Sequence, residues 1–167
     1  MNELILFSTK RCALGVVLAA RSERGLCALL LGDDAATLVT ALQQRFPGAD
    51  LRQDDVTLAP LTAAVSAFLQ NPASGLDVPL DLRGTEFEQR VWQALRAIPA
   101  GSIETYGEIA RRLGVPRAAK EVGEACAANA IAVAIPCHRV VRKDGALAGY
   151  RWGVRRKRAL LELERNG

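Results

Sequence analysis

Short runs of apolar and β-branched residues alternate with polar turns over the first part of the chain. The three runs are 4–7, 13–20 and 26–31, and the polar cluster 21–25 separates the last two. Runs of this length, bounded by turn-forming residues, are typical of β-strands that follow one another in an antiparallel meander. The pattern therefore predicts a small antiparallel sheet at the start of the chain.

Apolar positions recur at helical spacing in the next part of the chain. An acidic pair, 33–34, can cap a helix that Pro47 ends, and a second helix is predicted over residues 58–69. Because nothing in residues 1–82 resembles a catalytic cluster, we expect this part of the chain to form a supporting α/β domain.

The segment 78–82 is expected to run extended, and we place a domain boundary at its end. Residues 1–82 carry 6 Lys or Arg and 9 Asp or Glu, whereas residues 83–167 carry 16 and 9, so the net charges are −3 and +7. A basic half suggests an anionic partner. Nucleic acid is favoured over a membrane surface, because no basic amphipathic anchor is evident. A solvated basic face is the alternative interpretation, and charge alone does not separate the two.

Two capping boxes open helices in the second half of the chain. Thr-x-x-Glu sequences at 85–88 and 105–108 let a threonine hydroxyl and a glutamate carboxylate cap the same helix start. The second of these helices ends at Gly114, and a third is predicted from Pro116 to about Asn129. Two short helices around a glycine turn are typical of a helix-turn-helix, whose second helix usually faces DNA. A helical hairpin buried in a core would give the same pattern.

The apolar run 130–135 is predicted to be a strand, and it leads directly to the segment 136–141. A last helix, 154–164, is expected to turn its leucines toward the core and the basic run 155–158 toward solvent or phosphate. The whole pattern predicts a fold that contains both helices and strands, α/β in the broad sense and α+β in the strict one. A small N-terminal domain would hold an antiparallel sheet and helices, and a mostly helical C-terminal domain would hold the helix-turn-helix and an active-site strand or loop.

Composition narrows the class of protein. Half of the 167 residues are apolar, which is enough to bury a core. The apolar run 4–7 is too short for a signal peptide, and no run approaches the length of a membrane span, so we expect a cytoplasmic protein. Four cysteines without Cys-x-x-Cys spacing, and a single histidine, offer little to a metal ion. Reduced thiols, no metal and no cofactor are expected.

The single histidine, His138, directly follows Cys137. A thiol becomes a good nucleophile when an imidazole can take its proton and a third group holds the imidazole. Because adjacent side chains point to opposite faces of a strand, the pair can cooperate only if the backbone turns, which Pro136 favours. Glu162 or Glu164 on the last helix could orient the histidine. A buried structural cysteine beside a surface histidine is the alternative interpretation.

The sequence around this pair resembles a known active-site signature. Ile-Pro-Cys-His-Arg-Val-Val, with Asn129 eight positions before Cys137 and Gly-Tyr-Arg-Trp-Gly at 149–153, is similar to the signature of O6-alkylguanine-DNA alkyltransferases. The similarity extends over the whole chain and is strongest to the C-terminal half of bacterial Ada-type adaptive-response proteins, including segments 31–34 and 91–96. We expect no counterpart of their metal-binding, transcription-activating half.

The resemblance implies DNA repair by direct, single-turnover transfer of an alkyl group. Cys137 would take the alkyl group from O6-alkylguanine, with O4-alkylthymine open as a second substrate. His138 would act as the base through a water, and Glu164 would orient it. Asn129 would be the hinge between the recognition helix and the active-site strand. Tyr106 would rotate the phosphate of the flipped nucleotide and donate a hydrogen bond to the departing guanine.

The resemblance also implies a pocket for the flipped base and a surface for double-stranded DNA. The pocket would be lined by Val140, Tyr150 and Arg151. The helix-turn-helix would enter the minor groove, and its DNA-binding residues would be Thr105, Ala119, Lys120 and Gly123. A monomer is expected, and cooperative binding to DNA stays open.

One position departs from the family pattern. Where the family usually has an arginine that fills the space left by the flipped base, this sequence has Lys120, with Glu121 and Glu124 nearby. Lysine keeps the charge but loses the planar fork, and the two acids face phosphate, so we expect base flipping to be less well stabilised and DNA binding to be weaker. The small residues of this helix, Gly123 among them, suit close approach to DNA without sequence reading. Packing against another helix would explain Gly123 equally well.

Two other functions stay open. One is a non-enzymatic sensor of the same fold that binds alkylated DNA, and the other is an unrelated cysteine-dependent acyl-transfer enzyme. Sensors of this kind lack the cysteine, so Cys137 argues against the first. The second would leave the helix-turn-helix and the basic half of the chain unexplained.

Overall fold

The computed structural model describes residues 2–147 and 149–166. A four-stranded sheet has the order β3-β2-β1-β4. Its strands are β1 (Leu4–Cys12), β2 (Gly15–Ser22), β3 (Gly25–Gly32) and β4 (Asp50–Gln53). The predicted antiparallel meander of the first three strands is confirmed. β4 lies parallel to β1 and is absent from the sequence prediction, because only one of its four residues is apolar.

Both predicted helices of this part of the chain are present, α1 (Ala35–Arg45) and α2 (Ala59–Gln70), and they pack on the sheet. The Asp34 carboxylate caps α1 by accepting a hydrogen bond from the Thr37 amide at 2.8 Å. The residues that the two helices bury are Leu38, Leu42, Val65, Phe68 and Leu69. The first half of the chain therefore forms its core where these two helices pack against the sheet.

Four helices lie in the described part of the second half of the chain. They are α3 (Glu86–Arg96), α4 (Tyr106–Arg112), α5 (Ala119–Ala127) and α6 (Val154–Asn166). At the start of α3, the Thr85 hydroxyl accepts from the Glu88 amide and the Glu88 carboxylate accepts from the Thr85 amide. Thr105 and Glu108 repeat this exchange at α4. Both predicted capping boxes are confirmed.

The turn between α4 and α5 is built on Gly114. This residue takes a left-handed backbone conformation, with φ of 79°, which glycine adopts without strain. Residues 115–118 then form a further turn, closed by a main-chain hydrogen bond between the first and the last. The helix-turn-helix is present, but the predicted start of its second helix at Pro116 is wrong, because this turn delays the helix to Ala119.

The predicted strand over 130–135 is wrong. The backbone reverses within it, at Val133, which has a φ of 68°. Two main-chain hydrogen bonds of 2.8 Å join the run to β3, from the Leu29 amide to the Ala130 carbonyl and from the Ala132 amide to the Leu29 carbonyl. The run is apolar because nearly all of it is buried, and a buried turn shares that pattern with a buried strand.

The extended segment before α3 also pairs with β3. The Leu26 amide donates to the Pro79 carbonyl, and the Asp81 amide donates to the Leu26 carbonyl, both at 2.8 Å. The outer edge of β3 is therefore shared by this segment and by the run that precedes Cys137. The position of the domain boundary, between residues 82 and 83, stays a prediction.

A short parallel pair, β5 (Glu104–Thr105) and β6 (Val140–Val141), holds the start of α4 beside the residues that follow Cys137. This pairing brings the helix-turn-helix close to the candidate nucleophile. Across the described part of the chain, no helix has both the length and the apolar character needed to cross a membrane.

The buried face of α6 differs from the predicted one. Lys157, Leu160 and Glu164 are buried, and their spacing places them on one face of the helix. Leu163 is 38% exposed. The predictions that Leu163 faces the core and that Lys157 faces solvent are therefore wrong.

Candidate active site

Cys137 and His138 lie in one turn of 3-10 helix that ends at Arg139, not in a strand. Successive side chains around such a turn diverge by about 120°, whereas a strand would turn one of the pair outward. Cys137 is 4% exposed and His138 is completely buried. The backbone turn that would let the pair cooperate is thus present, directly after Pro136.

Asn129 joins the end of α5 to this turn. Its Nδ2 donates to the Ile135 carbonyl at 3.0 Å and to the Cys137 sulfur at 3.4 Å, and its Oδ1 accepts from the Ile131 amide at 2.9 Å. Burial raises the pKa of the Cys137 thiol to about 11, although the Asn129 hydrogen bond opposes the rise. At neutral pH the thiol therefore stays protonated until a base acts on it.

His138 contacts Glu164 of α6. Its Nε2 donates to the Glu164 carboxylate at 2.9 Å, and its buried Nδ1 has no hydrogen-bond partner among the described residues. Burial lowers the pKa of His138 despite the opposing effect of Glu164, so the imidazole is neutral at pH 7. Burial alone would raise the pKa of Glu164, but hydrogen bonds from His138 and Arg139 prevail and lower it to about 2. Glu162, the alternative acid, is exposed.

Two buried cations adjoin the site and are missing from the sequence prediction of site residues. Arg139 donates two hydrogen bonds to Glu164 and one to the Ile98 carbonyl. Lys157 is completely buried, and its Nζ donates to the Val140 carbonyl at 2.5 Å. Burial lowers the pKa of the Lys157 ammonium. The available signal was spacing, because Lys157 precedes Glu164 by two helical turns and so shares its face.

The residues predicted to line a base pocket lie around the same turn. Val140 is completely buried and Tyr150 nearly so. The Tyr150 ring meets the His138 ring edge-on, with centroids 6.4 Å apart. The Arg151 guanidinium donates to the Asn129 carbonyl, a contact of its side chain that the sequence does not predict.

Tyr106, the first residue of α4, is partly buried between α5 and the loop before Tyr150. A Cβ added at Gly123 would lie 3.8 Å from the Tyr106 ring, and one at Gly149 would lie 3.7 Å from its hydroxyl oxygen. Burial raises the pKa of Tyr106 to about 12, so its hydroxyl stays protonated and able to donate. The neighbouring Thr105, predicted to contact DNA, uses its hydroxyl to cap α4.

The outer face of α5 carries both signs of charge. Lys120, Glu121 and Glu124 are exposed, whereas Ala119 and Gly123 are partly buried. This face is distinct from the hydrogen-bonded group at Cys137. The predicted DNA-binding residues and the predicted catalytic residues are therefore connected through the end of the helix, where the chain continues to Asn129.

Comparison with known proteins decides the family. The family profile described as 6-O-methylguanine DNA methyltransferase, DNA binding domain, matches residues 86–166. The inducible methylated-DNA–protein-cysteine methyltransferase of Bacillus subtilis (strain 168) is 40% identical over 123 residues, which cover 74% of this chain and 69% of that protein. This chain belongs to the O6-methylguanine-DNA methyltransferase family. The resemblance to alkyltransferases is therefore confirmed.

Another relative and a solved structure also match the first half of the chain. The bifunctional transcriptional activator/DNA repair enzyme Ada of Escherichia coli (strain K12) is 51% identical over 163 residues, 98% of this chain and 46% of Ada. This chain thus spans about half the length of Ada. The crystal structure of Mycobacterium tuberculosis OGT in complex with DNA has a TM-score of 0.82 and 37% identity, covering 96% of this chain and 93% of that one. The predicted α+β fold is confirmed over nearly the whole chain.

Within this methyltransferase fold, hydrogen bonds link Asn129 to Cys137 and His138 to Glu164. Val140 and Tyr150 lie beside that group, and Tyr106 faces it from α4. The structure therefore brings together the predicted catalytic residues and two of the predicted base-pocket residues, while the role of each stays a prediction.

Proposed function

We propose that this methyltransferase repairs O6-alkylguanine in double-stranded DNA by transferring the alkyl group to Cys137, once per molecule. The observation that carries the proposal is the buried Cys137 thiol, hydrogen-bonded by Asn129 and followed directly by the His138–Glu164 pair. Relatives named as methylated-DNA–protein-cysteine methyltransferases, and a related structure that contains DNA, support it. A cytoplasmic location, as expected from the sequence, belongs to the same proposal.

The proposed reaction is a displacement at the alkyl carbon. The Cys137 proton passes through a water to Nδ1 of His138, because Nε2 is engaged by Glu164. The thiolate forms an S–C bond while the C–O6 bond breaks, and that electron pair stays on the purine. The purine takes up a proton and becomes guanine, so in sum one proton moves from the thiol to the base.

The leaving group needs a hydrogen-bond donor in place when the C–O6 bond breaks. Tyr106 fills this role in the proposal, since its hydroxyl stays protonated and lies beside the loop at Gly149. A thioether at Cys137 cannot be hydrolysed by a neutral imidazole and a carboxylate. Each molecule therefore acts once.

Reaching a base within a duplex requires that the base be flipped out of the stack. O6-alkylation removes the N1 proton of guanine and weakens its pairing, so the lesion is easier to extrude than a normal base. In the proposal, the helix-turn-helix binds the minor groove through α5. The flipped base then enters the space lined by Val140, Tyr150 and Arg151.

The test is a single incubation of the protein with duplex DNA that contains one O6-methylguanine. We expect mass spectrometry to find one methyl group on the peptide that bears Cys137, with a plateau at one methyl per protein molecule. Unmodified peptide together with lesion binding would favour a damage sensor. If the protein is not methylated and does not bind the lesion, the whole proposal is overturned.

Cysteine variants separate chemistry from binding. Cys137→Ala is expected to abolish transfer and keep lesion binding, because the nucleophile is lost and the helix-turn-helix is not. Cys27→Ala is the matched control, since Cys27 is also a free, buried cysteine but lies in β3. It is expected to transfer the methyl group at the wild-type rate.

A further inference from the structure

All three guanidinium nitrogens of Arg139 donate hydrogen bonds to two buried acceptor groups. Nε donates to Oε1 of Glu164 at 3.0 Å, and Nη2 donates to Oε2 of the same residue at 2.6 Å. Nη1 donates to the Ile98 carbonyl, just beyond the end of α3, at 2.6 Å. The Arg139 side chain is 8% exposed and that of Glu164 is completely buried. A planar fork on a carboxylate fixes the plane of that carboxylate, which a single hydrogen bond does not.

The carboxylate held in this way is also the partner of His138. Oε2 of Glu164 accepts both from Arg139 and from Nε2 of His138. A carboxylate can only accept, so His138 carries its proton on Nε2 and keeps a lone pair on Nδ1. The orientation and tautomer of the imidazole therefore depend on a carboxylate that Arg139 holds in place.

We propose that Arg139 is a positioning residue for alkyl transfer, which fixes Glu164 and balances its charge so that His138 stays neutral and presents Nδ1 as the base. This inference rests on the proposed function. An unpaired buried carboxylate would strongly favour the imidazolium form, which cannot accept a proton. With Arg139 in place, the carboxylate charge is shared between two partners.

The charges around His138 agree with this assignment. Glu164 is the group that favours a protonated imidazole, whereas Arg139 on the same turn and Lys157 on α6 oppose it. Tyr150, on the loop that faces the ring, is neutral because burial raises its pKa well above the ordinary value. Removing Arg139 would leave Lys157 as the remaining opposing cation and would raise the pKa of His138.

The variants that test this are Arg139→Met, which keeps the bulk of the side chain, and Arg139→Lys, which keeps its charge but loses the fork. We expect the single-turnover rate at pH 7 to fall roughly 10- to 100-fold in Arg139→Met, the size of effect that outer partners of a site produce. The acid limb of the rate profile should move up by about one pH unit, since less of the imidazole is neutral at a given pH. Arg139→Lys should recover part of both effects.

A second readout needs no DNA. His138 is the only histidine in the chain, so its imidazole NMR signals are unambiguous. In the wild type we expect the Nε2–H tautomer, and in both variants a pKa for His138 higher than in the wild type. Failure of the wild type to methylate Cys137 would overturn the proposed function, whereas the imidazole titration would still decide the role of Arg139.

Arg83→Met is the matched control. Arg83 forks onto the two carboxylate oxygens of Glu3 and also donates to one oxygen of Asp81, away from the active site. It is expected to reduce stability without moving the acid limb or the pKa of His138. An unshifted imidazole titration in folded Arg139→Met would overturn the inference. The Nδ1–H tautomer in the wild type would overturn it even if Arg139→Met did not fold.

Discussion

At the residue scale, the most important feature is that the Cys137 thiol is protonated. With a pKa of about 11, its thiol is almost entirely protonated at neutral pH, although neighbouring residues, Asn129 and Lys157 first among them, favour the thiolate. Asn129 donates a hydrogen bond to the sulfur, and Lys157 places a buried positive charge nearby. In the proposed reaction, the thiol would stay unreactive until His138 ionises it in the presence of the substrate. Such an arrangement would protect a nucleophile that the proposal uses only once.

The first prediction concerns the reactivity of this thiol with iodoacetamide in the absence of DNA. The rate of alkylation at Cys137 should rise roughly tenfold per pH unit between neutral pH and its pKa, because the thiolate is the reacting form. Asn129→Ala should slow the reaction at each pH by removing a hydrogen bond that favours the thiolate. Peptide mapping by mass spectrometry measures both effects.

Cys12 provides the internal reference for that experiment, since it is partly exposed and lies at the end of β1. Its alkylation rate should be the same in the wild type and in Asn129→Ala. A Cys137 rate that is independent of pH would contradict the protonated thiol.

The sequence predicts part of this site well, for a physical reason. Cys137 and His138 are adjacent, and the spacing of Asn129 and the position of Glu164 belong to a recognisable signature. The sequence does not predict Arg139 and Lys157 as site residues, because basic side chains are usually exposed. Their partners, a carboxylate and a carbonyl on other elements, become visible only in three dimensions.

At the scale of secondary-structure elements, α5 contains Gly123 at a position where the structure has room for a methyl group. A Cβ at Gly123 would meet only the Tyr106 ring, at ordinary van der Waals distance. Packing against another helix, one of the two explanations open from the sequence, therefore does not account for this residue. Close approach to DNA is the explanation that we retain.

Gly123→Ala should therefore separate stability from DNA binding. We expect the variant to be more stable to urea by about 1 kcal/mol, the difference in helix propensity between glycine and alanine. Its affinity for duplex DNA should fall, because the added methyl group would stand between α5 and the groove. Unfolding curves and fluorescence anisotropy with a labelled duplex measure the two quantities.

The matched control is Thr40→Ala, which raises helix propensity at an exposed position of α1. It should be more stable by a smaller amount, with unchanged DNA affinity. Unchanged affinity in Gly123→Ala as well would mean that α5 does not approach DNA at this residue.

The charges of α5 give a second prediction for the same element. Lys120→Arg should increase the rate of methyl transfer from duplex DNA, because a planar guanidinium can stack and hydrogen-bond where an ammonium cannot. Glu124→Gln should tighten DNA binding by removing an exposed negative charge from the same surface. Single-turnover rates and salt-dependent affinities measure these effects.

Two controls repeat those substitutions far from α5. Lys10→Arg lies in β1 and Glu23→Gln in the turn between β2 and β3, and both side chains are exposed. Neither should change the transfer rate or the affinity. Equal rates for Lys120→Arg and the wild type would contradict the idea that lysine weakens base flipping.

Element prediction from the sequence succeeds where local chemistry decides. The two capping boxes satisfy helix ends within four residues, so the chain itself contains the whole signal. The run 130–135 fails because its apolar pattern reports burial and not backbone direction. Its turn at Val133 depends on contacts with β3, which no local pattern records.

At the scale of the whole molecule, Arg156 of α6 ties the two halves of the chain together. Nε donates to the Leu14 carbonyl at 2.7 Å, and Nη2 pairs with Asp33 at 2.6 Å. The Asp33 side chain is 92% exposed, so water screens that ion pair. The partly buried hydrogen bond to Leu14 is the stronger of the two contacts.

Arg156→Met should therefore reduce the free energy of unfolding by about 1.5–3 kcal/mol, the range for a hydrogen bond from a charged donor. Asp33→Asn, which removes only the ion pair, should cost about 0–1 kcal/mol. Urea unfolding of both variants measures the difference. Equal losses would show that the exposed ion pair matters as much as the hydrogen bond.

The edge of β3 has a consequence for how the molecule opens. The amides of Leu29 and Ala132 are bonded across the two halves of the chain, so neither can exchange with solvent unless this junction separates. Deuterium should therefore enter both positions at similar rates. We therefore expect β3 and the turn that carries Cys137 to belong to one cooperative unit of unfolding, even though the sequence places them more than a hundred residues apart.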